Sequence, residues 1–119
     1  MNTSPQNIRK LIVCEGEEEK NFFHQLIEKR GLQKFQILNA GSKDNFCNSL
    51  IKYKLERTDD FQRLEHIVFV ADNEDNPQDR FDNVCTQIDR VFGPNKCPKL
   101  PRETVGQKPK ITILMIPWD

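Results

Sequence analysis

Residues 66–75 read His-Ile-Val-Phe-Val-Ala-Asp-Asn-Glu-Asp, an unbroken apolar run that stops abruptly on a cluster of acids. A strand with one wet face alternates apolar and polar residues. This run does not alternate, so it predicts a strand buried on both faces. Such a strand needs cover above and below, which a parallel sheet flanked by helices supplies.

The surrounding chain repeats the pattern. Upstream, Lys10-Leu-Ile-Val-Cys14 is a second β-branched apolar run, ending at Glu15-Gly16. Phe22, Phe23, Leu26 and Ile27 then recur at helical spacing, with Gly31 placed to end that helix. Phe35 to Leu38 reads as a strand, followed by Asn39-Ala-Gly-Ser42, and Phe46, Leu50, Ile51 and Leu55 mark an amphipathic helix. Downstream, Phe81, Val84, Cys85, Ile88, Val91 and Phe92 fit a third helix with Pro77 in its first turn. Lys110 to Ile116 forms the last strand, ahead of Pro117-Trp118-Asp119. Alternating strands and helices predict an α/β fold of Rossmann-like type. The expected core is a four-stranded parallel sheet in the order 2-1-3-4, joined by right-handed crossovers.

With 119 residues the chain is expected to form one domain, 1–119. A doubly wound sheet ordinarily places another helix after its last strand, so the expectation is an N-terminal fragment of a longer chain. No apolar run reaches the ~20 residues of a membrane span, and Met1 to Lys10 lacks the apolar centre of a signal peptide. A cytoplasmic protein with no membrane partner is therefore expected. The cysteines at 14, 47, 85 and 97 form no C-x-x-C pair, and buried free thiols are the expectation. The phenylalanines, Phe22 among them, follow helix and strand periods and are assigned to the core.

Eighteen basic residues balance eighteen acidic ones, so no global field draws the chain to nucleic acid. Between Gly93 and Lys110 five basic residues stand against one acid, Glu103, and the Pro- and Gly-rich stretch from Gly93 to Pro109 is read as a long structureless flap. That flap either tracks a nucleic-acid backbone or is simply solvated.

Ligands of open parallel sheets bind at the carboxyl ends of the strands. Three of the expected strands end there in acids: Glu15, then Asp72 with Glu74 and Asp75, then Asp119. Carboxylates gathered at one rim repel one another and recruit a cation. Their hard oxygens favour Mg²⁺ or Mn²⁺, which can polarise a phosphoryl oxygen. The plainer role, first-turn acids favouring a helix dipole, fits Glu17 and Glu18, while Glu19 is open to either. Gly41, Ser42 and Lys43 precede a helix, where backbone N–H groups and the lysine can hold a phosphate. Ser42 or Asp44 can equally serve as a simple N-cap. His24 and His66 lack metal-ligand spacing, and Trp118 either stacks on a ligand or covers the sheet rim.

The order strand, Glu15-Gly16-x-x-Glu19, helix, then strand, Asp72-x-Glu74, resembles the Toprim domain of topoisomerases, primases and OLD-family nucleases. Asp72-Asn-Glu-Asp-Asn-Pro77, the Pro-rich loop and the ending Ile-Pro-Trp-Asp119 resemble more closely a small Toprim-related family with no established function. The resemblance implies Glu15 as the catalytic acid/base or a metal ligand, and Asp72 and Glu74 as ligands of Mg²⁺ or Mn²⁺. It further implies Glu19 as the second acid of the OLD-like pattern, and a nuclease-type reaction on nucleic acid. OLD-type domains work beside ATPase domains, so a separate ATPase partner is also implied. The chain departs from the pattern at Glu74, where Asp is usual, and at Asn76-Pro77, where a glycine is usual. A non-catalytic module that binds metal, a nucleotide or a protein partner is the alternative expectation.

Overall fold

The structure is a computed structural model that describes residues 7–117. In chain order the elements are β1 (Lys10–Cys14), α1 (Glu17–Arg30), β2 (Phe35–Asn39), α2 (Phe46–Glu56), α3 (Thr58–Arg63), β3 (His66–Asp72), α4 (Pro77–Phe92), β4 (Thr104–Val105) and β5 (Lys110–Ile116). The α/β class holds. The sheet has five strands in the order β2-β1-β3-β5-β4, and its first four positions run parallel.

Two expectations are corrected here. The sheet is mixed rather than all parallel, because Thr104 and Val105 pair antiparallel to Thr112 and Ile111 on the β5 edge. Those two residues lie within the stretch read as a structureless flap, and a two-residue strand leaves no readable period. The same stretch is tied down by a Cys85–Cys97 disulfide, so of the four cysteines only Cys14 and Cys47 are free, both buried. Trp118 and the proposed ligand Asp119 lie outside the described residues.

Local chemistry explains the helix ends. α1 carries Glu17, Glu18 and Glu19 in its first turn and Lys29 and Arg30 in its last, each sign matched to the helix dipole. Gly31, at φ 62°, takes the left-handed turn that releases the chain. In α4, Pro77 sits in the first turn and the Asn76 side chain accepts the Asp79 N–H at 3.1 Å. α2 starts one residue beyond the expected caps: its N-cap is Asn45, whose side chain donates instead to the Ala40 carbonyl. Ser42 and Asp44 do not cap it.

The two sheet faces are covered unequally. Leu11, Val13, Ile67, Phe69, Ile111 and Ile113 face a large core completed by Phe46 and Leu50 of α2 and by Phe81, Val84 and Ile88 of α4. Each such fully buried side chain contributes about 2 kcal/mol by leaving water. The other face packs Ile12, Cys14 and Val70 against Phe23 of α1. Phe22, expected in the core, is 59% exposed, because it lies off the α1 stripe that holds Phe23, Leu26 and Ile27.

At the end of the sheet away from the acids, His66 Nε2 lies 2.8 Å from Thr112 Oγ1, which in turn meets Thr104 Oγ1 at 2.6 Å. This chain of polar contacts links β3, β5 and the edge strand β4. Burial, then Lys110 and Lys10, lower the His66 pKa from its usual 6.5. A histidine held neutral by the fold binds fewer protons than the unfolded chain does. Its contribution is therefore intact above pH 6.5 and is lost as pH falls through the lowered folded value. Urea denaturation should show stability declining as pH falls from 6.5 through that value, and His66→Gln should flatten this part of the profile.

Candidate active site

β1 and β3 are neighbours in parallel register, with Lys10 opposite His66 and Val13 opposite Phe69. Their carboxyl ends therefore emerge side by side, carrying Glu15 and Asp72 to one rim. The two residues meet directly: the Asp72 backbone N–H donates to Glu15 Oε2 at 2.6 Å. The same oxygen accepts from Arg80 Nη2 at 2.9 Å, in an ion pair with side-chain exposures of 3% for Arg80 and 16% for Glu15. A guanidinium so dry is sustained only by partners. Arg80 Nη1 donates to Asn83 Oδ1 at 2.7 Å, and the guanidinium lies 5.4 Å from the centre of the Phe46 ring. Arg80 Nε is buried without a hydrogen-bond partner among the described residues.

The network continues into the loop before α2. Gln87 Nε2 donates to Asn83 Oδ1 at 2.8 Å and to the Lys43 carbonyl at 3.0 Å, while its Oε1 accepts the Cys47 N–H at 3.1 Å. Lys43 Nζ reaches Glu74 Oε1 at 3.3 Å. Glu74 has φ 59°, a left-handed conformation uncommon for a residue with a side chain. Of these groups Lys43, Glu74, Arg80 and Asn83 border a cleft of about 300 Å³, together with Asp75 and Asp79.

The sequence-predicted residues are thus distributed as follows. Glu15 and Asp72 are brought together, and Glu74 follows on the same rim, engaged by Lys43. Glu19 lies on the other side, lining a groove with Phe22, Phe23, Ile116 and Pro117. The Gly41 N–H is taken by Asn39 Oδ1 at 2.9 Å, the Ser42 carbonyl accepts from Asn45 N–H, and the α2 amide of Cys47 is occupied by Gln87. Arg80, Asn83 and Gln87 were not anticipated. Their signal was present in α4, where an arginine and a glutamine fall at helical spacing on the side that also carries Val84 and Ile88.

The donor chemistry suits a hard divalent cation, since Asp72 and Glu74 offer carboxylate oxygens on an accessible rim. Glu15 is already compensated by Arg80. Among the described residues no three His, Cys, Asp or Glu side chains group as a metal site. Cys14, just ahead of Glu15, is no nucleophile: burial, with Glu19 adding to it, pushes its thiol up to about 11.

Fold and rim define a class: an α/β protein with acids gathered at the carboxyl ends of its central parallel strands. Within that class, residues 9–119 match the model of a family described as a protein of unknown function (DUF3226), and the chain belongs to that family. No curated protein and no solved structure matched the chain.

Arg80→Met should lower stability by about 3 kcal/mol in urea denaturation, because it strands Glu15 as an unpaired, largely buried charge. Glu15→Gln combined with Arg80→Met should recover part of that loss. In the native protein, thiol titration at neutral pH should leave Cys14 unmodified until denaturant is added.

Proposed function

We propose that this chain is a Toprim-type domain that cleaves or transfers phosphodiester bonds of nucleic acid with the help of Mg²⁺ or Mn²⁺. The observation that carries this reading is the junction of Glu15 with Asp72 at 2.6 Å, with Glu74 two residues further along the same rim. Asp72 and Glu74 are the side chains that would hold the cation; Glu19 is a further candidate by resemblance, and Asp119 by its place after the last strand. Once bound, the cation would supply charge neutralisation on a phosphoryl oxygen.

The chain's own residues do the remaining work. Arg80 and the Asp72 amide both bind Oε2 of Glu15, fixing the direction of its carboxylate. Oε1, with no hydrogen-bond donor among the described residues, is the atom left to accept a proton from an attacking hydroxyl or water. Phe46 and Arg80 close the inner wall of the site, so the proton acceptor works against a dry backing. Nucleic acid is the proposed substrate class, and an ATPase partner is proposed on the resemblance to OLD-type proteins.

A second reading, a non-catalytic module of the same fold, has its own support. Arg80 and Lys43 already compensate Glu15 and Glu74, which is what a rim without a cation requires.

Calorimetric titration with Mn²⁺ separates the two readings. The catalytic reading expects binding by the wild type that Asp72→Asn weakens by more than about 100-fold. Thermal stability should change little, because the backbone N–H that holds Glu15 is retained. Mn²⁺-dependent cleavage of DNA or RNA should be lost in the same variant and in Glu15→Gln. A folded wild type that binds no Mn²⁺ would favour the second reading.

A further inference from the structure

The two faces of the sheet are not equally dressed. α2 and α4 pack on one side, whereas on the other, among the described residues, α1 alone packs over Ile12, Cys14 and Val70. Val68, Leu114 and Ile116 on that second side are only partly buried. Beside α1 this leaves a groove of about 380 Å³ lined by Phe22, Phe23, Ile116 and Pro117, with Glu18 and Glu19 as its polar members. Phe22 stands 59% exposed at its edge. An apolar groove edged by glutamates favours an apolar ridge flanked by cations. It disfavours a copy of itself, because a two-fold contact would bring the glutamates of both copies together.

The chain carries such a ridge. On the outer side of α2, Ile51 and Leu55 are one helical turn apart and are 42% and 76% exposed. Exposed Lys52 and Lys54 lie to either side of them. An exposed i, i+4 apolar pair between lysines is the counterpart, in shape and in charge, of a glutamate-edged groove, and helix-in-groove docking uses this geometry. The ridge and the groove lie on opposite sides of the sheet, so one molecule cannot satisfy itself.

We propose that the α1–β5 groove is a self-association site whose occupant is the Ile51–Leu55 ridge of a second copy of this chain. The contact is head-to-tail: each copy offers one groove and one ridge, so chains add in series until a ring closes or a filament forms. The proposal goes beyond the metal-dependent reading, and its variants Phe22→Glu and Leu55→Glu replace none of the residues which that reading uses.

Sedimentation of the intact chain over a wide concentration range tests it. The weight-average mass of the wild type should rise with concentration, and added salt should weaken the rise. Phe22→Glu and Leu55→Glu, both at exposed positions, should each shift association to concentrations more than about tenfold higher, with circular dichroism unchanged. The decisive sample is their mixture. Phe22→Glu retains a ridge and Leu55→Glu retains a groove, so together they should form one-to-one dimers and nothing larger. Three results would overturn the proposal: a wild type that stays monomeric throughout, association that Leu55→Glu leaves untouched, or a mixture that fails to pair.

Discussion

One carboxylate oxygen, Oε2 of Glu15, joins three parts of this molecule. It takes the backbone N–H of Asp72 and the guanidinium of Arg80, so the ends of β1 and β3 are closed onto the first turn of α4. At the carboxyl end of a parallel sheet the ladder stops and the amides beyond it need new partners. Glu15 answers that need for Asp72. Because the Arg80 side chain is nearly dry, the pairing is also an electrostatic commitment: either partner without the other would be a stranded charge in a poorly solvated place.

The rest of the rim follows from this anchor. Arg80 positions Asn83, Asn83 meets Gln87, and Gln87 holds both the Lys43 carbonyl and the first turn of α2. The Lys43 side chain is thereby delivered to Glu74. A polar network running through the helix layer thus sets the spacing of the acids above it. The cost of burying those groups is offset by near-complete pairing, with Arg80 Nε the exception. Among the described residues the same architecture leaves the α1 face lightly covered, since two crossovers place their helices on one side of the sheet and only α1 falls on the other.

Much of this was legible in residue order. Almost continuously apolar runs at 10–14, 66–71 and 110–116 announced strands buried on both faces, and the parallel order of those strands followed from the crossovers between them. The acids after β1 and β3 belong to one rim on sequence grounds alone, because parallel strands end on the same side. The two-residue strand β4, the single turns of α3 and the disulfide were not legible. Elements that short have no period, and cysteine spacing does not specify pairing.

What the sequence determined by itself, then, was the α/β class, the parallel centre of the sheet and the convergence of Glu15 with Asp72. Each is a consequence of local pattern and chain direction. Only the tertiary structure decided which groups those acids would meet. Arg80 lies 65 residues from Glu15, and Gln87 lies 40 from Cys47. Such pairs form because crossovers bring distant segments together in three dimensions, and no periodicity along the chain encodes that distance. The same reason separates Glu19 from Glu74: the helix that follows β1 and the loop that follows β3 leave the rim on opposite sides of the sheet.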